Sequence, residues 1–208
     1  MLLLVPALVL SQATHYAIVP EETELLALTS PAGLFAGASH PHVITAPKVR
    51  GEVIYDANAP ETSSVSLEFQ AKDLGNDDPA LRRRFHMTSM LSIEDRKKVA
   101  ADMVGADQLD VKKYPTVSFT SRHVRRLDAE HLEVSGAMTL RGVAAELTLP
   151  VKVTVHDGVL RGEGTVGITH AMFGFRPFST ALGTIRNAEP ITLELRIVAR
   201  AMAPDGGS

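Results

Sequence analysis

The chain of 208 residues contains no cysteine and no tryptophan, and aromatic residues make up only 5% of it. Without cysteine there are no disulfides, thiolate metal sites or cysteine nucleophiles, although the compartment stays open because cysteine-free proteins occur everywhere. With so few aromatics, an apolar pocket has to be lined mainly by Val, Leu, Ile and Met. Nor is there an excess of positive charge: 21 Lys and Arg stand against 24 Asp and Glu, for a formal net charge of -3. Nucleic acid, which calls for a basic surface, is therefore excluded as an expected partner. The longest apolar run, Leu2 to Leu10, is too short to span a bilayer as a helix, so no stable membrane span is expected. No nucleophile elbow, phosphate-cradling loop or His-Glu-x-x-His pair occurs, so catalysis has no foothold and no catalytic residue, cofactor or metal is assigned.

What the chain has instead is alternation. From Asp107 to Val155 three apolar runs follow one another across short turns. Leu132, Val134, Gly136, Met138 and Leu140 share one face of a period-two pattern, which is the period of a strand. Leu147, Leu149, Val151, Val153 and Val155 repeat it after a connection in which Gly142 supplies the turn. Pro150 lacks an N–H and predicts an edge or a bulge. The same counting gives strands over 49–55, 65–71, 116–122, 132–140, 146–155 and 190–199, with a seventh over 159–169, where Gly162, Gly164 and Gly167 favour bulges and bending. An antiparallel sheet of this many strands buries one face best by closing, and about eight strands leave room for side chains or one small ligand. The fold class expected is all-β, a closed antiparallel barrel of about eight strands, with a β-sandwich as the alternative that periodicity cannot separate.

Between Asp73 and Asp110 the pattern changes. Asp78-Pro79 has the chemistry of a helix start, and Ser92 with Asp95 forms a capping box, so two short helices are expected within 79–104. Leu81, Phe85, Met87, Met90, Ile93, Val99 and Met103 supply their apolar faces, and the insertion is expected to lie across one end of the sheet. The run Arg82-Arg83-Arg84 reads as a solvated face, as do the carboxylates Asp77, Asp78, Glu94 and Asp95. His40-Pro41-His42 could send two rings to one side, but no third metal ligand has suitable spacing, and a solvated loop is expected. Arg176 and Arg186 flank Phe173, Phe175 and Phe178, which suits either a pocket mouth or an ordinary packed loop.

The order KYPTVSFTS followed by VSGAMTLRGVAAELTLPVKV resembles the YceI family of lipocalin-like, polyisoprenoid-binding proteins. The matching residues are Tyr114, Pro115, Phe119 and Ser121, then Gly136, Thr139, Leu140, Gly142 and Val143. KVRGEVIYD is similar to an earlier family strand. Two departures stand out: the first hairpin lacks the family's aromatics, and His170 stands where an Arg precedes the Phe173-Gly174 pair. The resemblance implies a lipocalin-like barrel over 14–201. It also implies non-catalytic binding, transport or storage of a polyisoprenoid or other hydrophobic small molecule inside that barrel. Leu67, Phe69, Phe119, Met138, Val153, Phe173 and Phe175 are the expected contacts, chosen for their places on the alternating faces. A secreted interaction module with a self-filled barrel is the reading from another class, and an enzyme assembled from loops is the weakest of the three.

Residues 202–208 read as a flexible tail. The apolar run followed by Ser11-Gln12-Ala13 reads as a signal peptide over 1–13, which places the protein in the periplasm or outside the cell. N-terminal sequencing of material made in a native host of the Gram-negative type is expected to begin near Thr14. An intact Met1 in a cytosolic fraction would refute this.

Overall fold

A computed structural model describes residues 13–33, 40–180 and 185–203. Apart from Ala13, the expected signal peptide lies outside these residues, as do residues 204–208 of the tail. The described residues form fourteen strands and two α-helices. The centre is the expected meander: β8 (Thr116–Arg126), β9 (His131–Leu140), β10 (Val143–His156) and β11 (Val159–Thr169), each antiparallel to the next. Two of its turns have only two residues. Arg141 and Gly142 have φ of 53° and 72°, and Asp157 and Gly158 have 49° and 72°. Positive φ at both central residues is what a type I′ hairpin needs, and its twist matches that of the strands.

Beyond β11 the ring continues through β14 (Pro190–Ala201), which pairs with β1 (Thr14–Ile18); β5 (Arg50–Tyr55) and β6 (Ser64–Gln70) then lead back to β8. Eight strands, β1-β5-β6-β8-β9-β10-β11-β14, thus close a barrel. β14 is long enough to take two partners on one edge. Tyr16 to Ile18 face Ala201 to Ala199, and β2 (Glu24–Thr29) faces Arg196 to Thr192. β4 (His42–Thr45) continues the wall beside β2, and β7 (Gly75–Asn76) continues it beside β4. Three neighbouring wall positions are therefore strands broken in the middle: β1 with β2, β5 with β4, and β6 with β7. A small sheet of β3 (Pro31–Ala32), β12 (Ser179–Thr180) and β13 (Ile185–Asn187) adjoins this end.

The ladder departs from expectation at the proline and the glycines. The pairing of β10 with β9 runs unbroken from Val143 to Lys152, so Pro150 makes no bulge. The missing N–H is tolerated because the β10–β11 ladder stops at Val151, one residue away. β11 likewise pairs with β14 without a register shift, so Gly162, Gly164 and Gly167 mark no bulge. The shift falls instead in β8, between Ser121 and His123, where the Ser121 Oγ accepts the Val65 N–H at 2.9 Å. Gly136 is what lets the strands approach there, since a Cβ on it would lie 2.3 Å from the Thr120 carbonyl oxygen.

The interior holds three buried clusters. Tyr16, Val49, Leu160 and Ala199 belong to the floor; Val124, Leu132, Val134 and Leu149 lie against the far wall; Leu147, Ile168, Phe173 and Phe175 lie at the opposite end, the mouth. Each Val, Leu, Ile or Phe among them contributes about 1.5–3 kcal/mol on burial. α1 (Pro79–Arg84) and α2 (Ile93–Val104) form as the capping chemistry predicts. Asp78 Oδ1 accepts the Ala80 and Leu81 N–H groups, and Ser92 and Asp95 complete a reciprocal box. α2 nevertheless buries no residue. Ile93, expected on a packed face, is 66% exposed, because this helix meets the barrel only along its other side, and Met90, 65% exposed, falls in the segment before the helix.

Gly136→Ala is expected to lower stability by roughly 1–3 kcal/mol through overpacking. Gly167→Ala, whose Cβ would meet nothing within 4 Å, should change it little. Urea denaturation of the two variants checks the difference.

Candidate functional site

The alternation that builds the wall also decides which residues face inward. Leu67 and Phe69 on β6, Phe119 on β8, Met138 on β9 and Val153 on β10 line one cavity of about 370 Å³, together with Phe175 beyond β11. Six of the seven residues expected from the sequence are therefore brought together. Phe173 is not among them: it is 1% exposed and packed with Leu147 and Ile168. The cause is a 3-10 turn at His170–Phe173, ended by Gly174 at φ 72°, which breaks the strand alternation that put residues 173 and 175 on one face.

The cavity is deep and apolar. Leu160 near the floor and Ile168 near the mouth both line it, eight steps apart on β11. At about 3.3 Å per step that is roughly 26 Å of strand. β2 contributes Leu25 and Ala27, and β4 contributes Ile44, none of which sequence reading selected. Their strand hides its own signal: in Glu24–Thr29 the intervening Leu26 is also buried, so both faces are apolar and no period of two shows. α2 lies over the opening and presents Val99 and Met103 to it. Phe178 and Gln108 also border this end, and Gln108 donates to the Arg176 carbonyl at 3.3 Å. Arg176 and Arg186 are both exposed.

The two halves of the sequence motif meet below the lid. Gly142 lies so close to Tyr114 that a Cβ would come within 2.6 Å of the ring, and the Lys113 ammonium lies 5.1 Å from the centre of the same ring. The Arg141 guanidinium stacks 5.5 Å over Phe175, and His170 meets the same ring edge-on at 5.2 Å. Burial pushes the His170 imidazole below its ordinary value against the pull of Glu189. The Glu189 carboxylate, 3.6 Å from Nδ1, is too distant for a hydrogen bond.

Two groups expected in solvent are buried at this end, and a third, His42, is half-buried. Asp77 is fully buried and Arg82 is 1% exposed. Asp77 Oδ1 accepts from the Arg82 guanidinium at 2.7 Å and from the Val43 N–H at 3.2 Å, while its Oδ2 lies 2.7 Å from His42 Nδ1. The Arg82 guanidinium also donates to the Pro41 carbonyl at 2.8 Å and, through Nε and a terminal nitrogen, to the Ser89 carbonyl at 2.9 and 2.7 Å. One arginine thus ties α1, the start of β4 and the segment leading to α2 together. Burial alone would raise the Asp77 carboxyl; the hydrogen bonds from His42, Arg82 and Val43 outweigh it and hold it below the ordinary range. Of the other two arginines in the run, Arg83 is exposed and Arg84 is bound to Glu24. Among the described residues no cluster of three or more His, Asp or Glu could hold a metal, and no helix is long and apolar enough to cross a membrane.

An antiparallel barrel of eight strands, enclosing an apolar cavity under a short helical lid, is a lipocalin-like fold. The chain belongs to the YceI-like family, whose domain model matches residues 16–199. The fold is similar to that of Burkholderia cenocepacia BcnA, with a TM-score of 0.66 and 16% identity over 87% of this chain and 98% of that one. A polyisoprenoid binding domain from Saccharophagus degradans, implicated in plant cell wall breakdown, matches with a TM-score of 0.60 and 10% identity over 90% of this chain and 98% of that one. A Campylobacter jejuni YceI protein matches with a TM-score of 0.59 and 13% identity over 77% and 85%. In sequence, a UPF0312 protein of Pseudomonas putida is 30% identical over 98 residues, 47% of this chain, and the chain spans 42% of that relative's length.

Asp77→Asn should cost about 3–5 kcal/mol, because it leaves a buried guanidinium without its counter-charge. The sign of the acid response follows from the depressed carboxyl. Its contribution is complete above the unfolded value near 3.9 and is lost as pH falls through the lower folded value. Urea denaturation of both proteins between about pH 2 and 5 is expected to show this part of the acid slope in the wild type and not in the variant.

Proposed function

We propose that the barrel holds one chain-like hydrophobic molecule, a long isoprenoid or another lipid, and carries or stores it without transforming it. The observation that carries this reading is the cavity itself, apolar from floor to mouth. Protein interiors normally leave few voids larger than a water molecule. A 370 Å³ space in a barrel this well paired is therefore poor packing for a self-filled interaction module, and a suitable volume for a ligand. Burying hydrocarbon contributes roughly 0.8 kcal/mol per CH₂, and ordering the chain offsets part of that.

The shape favours an extended chain over a compact ring system, since the lining runs along the strands and not across them. The family and the Saccharophagus degradans domain support the choice of an isoprenoid. A periplasmic or extracellular location, proposed from the first thirteen residues, fits the same role. The reading requires no cofactor, no metal and no catalytic group.

Met138→Trp places a bulky ring in the cavity. In a carrier it should displace the chain while the fold persists; in a self-filled barrel it should cost roughly 1–3 kcal/mol by overpacking. Solvent extraction and mass spectrometry of both proteins, with a denaturation curve for each, separate the two. A wild-type protein that yields no lipid, paired with a variant that only loses stability, would end the carrier reading.

A further inference from the structure

The buried cluster at the mouth does more than fasten the lid. Arg82, Val43 and the backbone carbonyls already tie the segments together through Asp77 Oδ1 and the guanidinium. The second carboxylate oxygen is used differently, on His42, and His42 lines the cavity. An imidazole is costly on an apolar wall unless both of its nitrogens have work there. Directly across the β2–β4 ladder from His42 stands Thr29, so both side chains lie on the cavity face. Thr29 is 9% exposed, and its Oγ1 is buried without a hydrogen-bond partner. A polar pair at this level, with hydrocarbon on the wall below it, matches a ligand that is polar at one end.

The chemistry of that end follows from the bonds already made. A carboxylate only accepts, so the Nδ1 facing Asp77 carries the proton, and in neutral imidazole Nε2 is then an acceptor. No hydrogen bond is formed to Nε2 among the described residues. A hydroxyl can donate to it, and the Thr29 hydroxyl can in turn donate to that oxygen. No arginine or lysine lines the cavity among the described residues, so an anionic head finds no equivalent there. Arg82 is occupied by two carbonyls and by Asp77, whose charge cancels its own. Arg141, the cation stacked on Phe175, sits at the β9–β10 turn, on the opposite side of the ring from β2 and β4.

We infer that His42 and Thr29 form a head-group subsite at the mouth of the cavity, which takes the hydroxyl of a chain-like alcohol in preference to a phosphorylated or purely hydrocarbon end. This rests on the carrier reading, with the chain lying in the barrel below. Asp77 and Arg82 are positioning residues for it: they hold the ring and its tautomer and do not touch the ligand.

The test measures dissociation constants of farnesol, farnesyl diphosphate and farnesene with delipidated protein, by displacement of a hydrophobic fluorophore. The wild type is expected to bind farnesol roughly tenfold more tightly than farnesene, the worth of one net hydrogen bond. His42→Leu should bring farnesol to the level of farnesene and leave farnesene unchanged. His42→Gln, which keeps an acceptor, should restore part of the preference. Thr29→Val gives up no hydrogen bond within the protein, so it tests the same subsite with the fold intact, and it should narrow the preference severalfold. Equal binding of farnesol and farnesene by the wild type, an undiminished preference in both His42→Leu and Thr29→Val, or tightest binding of the diphosphate overturns the subsite and leaves the carrier reading standing. Failure of all three probes to bind overturns both.

Discussion

Everything in this molecule depends on the edge of β14. A sheet of alternating strands cannot keep an apolar face dry while both its ends are open, and closure requires that the last strand offer its free edge to the first. β14 does this twice along its length, to β1 near the floor and to β2 near the mouth. The division is bridged by Val198, whose carbonyl accepts the Val19 N–H at 2.8 Å and whose N–H donates to the Thr23 hydroxyl at 3.1 Å. The bond to Thr23 is made by a side chain because the backbone there has left the ladder. Since the wall is complete, its inward residues need not fill the space completely, and the cavity exists because the backbone rather than the core carries closure.

The broken strands explain how a lid can be fixed to such a wall. Where β4, β2 and β7 succeed the floor strands, the chain is free to send out the helical insertion and bring it back across the opening. The insertion is held by a buried ion pair more than by a packed face, because α2 has no fully buried residue. That is an unusual division of labour. Replacing a buried ion pair by apolar groups is often neutral or favourable for stability, so such pairs are better understood as devices of position. Here the position is that of one histidine at the mouth of an apolar well.

Much of this was legible in the residues. Period-two patterns located the meander and β14 because each of those strands has one face toward the interior and one toward solvent, as in Glu133 and Ser135 against Val134 and Gly136. Helix starts were legible because Asp78 and Ser92 act locally, within one turn. The wall at β2 was not, since Leu25 and Leu26 face opposite ways and are both apolar. The Arg82 cluster was invisible for a different reason. Pro41 is brought to Arg82 by topology, and three consecutive arginines give no sign that the first turns inward, toward Asp77 and Ser89, while the second stays in water. Phe173 was misplaced by a turn that substitutes a three-residue period for a two-residue one.

The pairing of Tyr16 with Ala201 also sets an order of events. The meander can zip as it is made, since each strand finds its partner across a short turn, but the edge of β1 that meets β14 has to wait for almost the entire chain. Contacts of such separation are the slowest to form, because the entropy of closing the loop is lost before any bond repays it. On a ribosome, the strand that begins at Thr14 can pair with β5 on one edge, but its other edge stays open until the last strand is free. For that interval the nascent sheet has two open edges and an uncovered apolar face, the state in which strands of different molecules pair. A barrel whose first and last strands are neighbours is thus safest when its early portion is shielded until synthesis ends, and its yield in a foreign host should depend more on chaperones than on the stability of the finished fold.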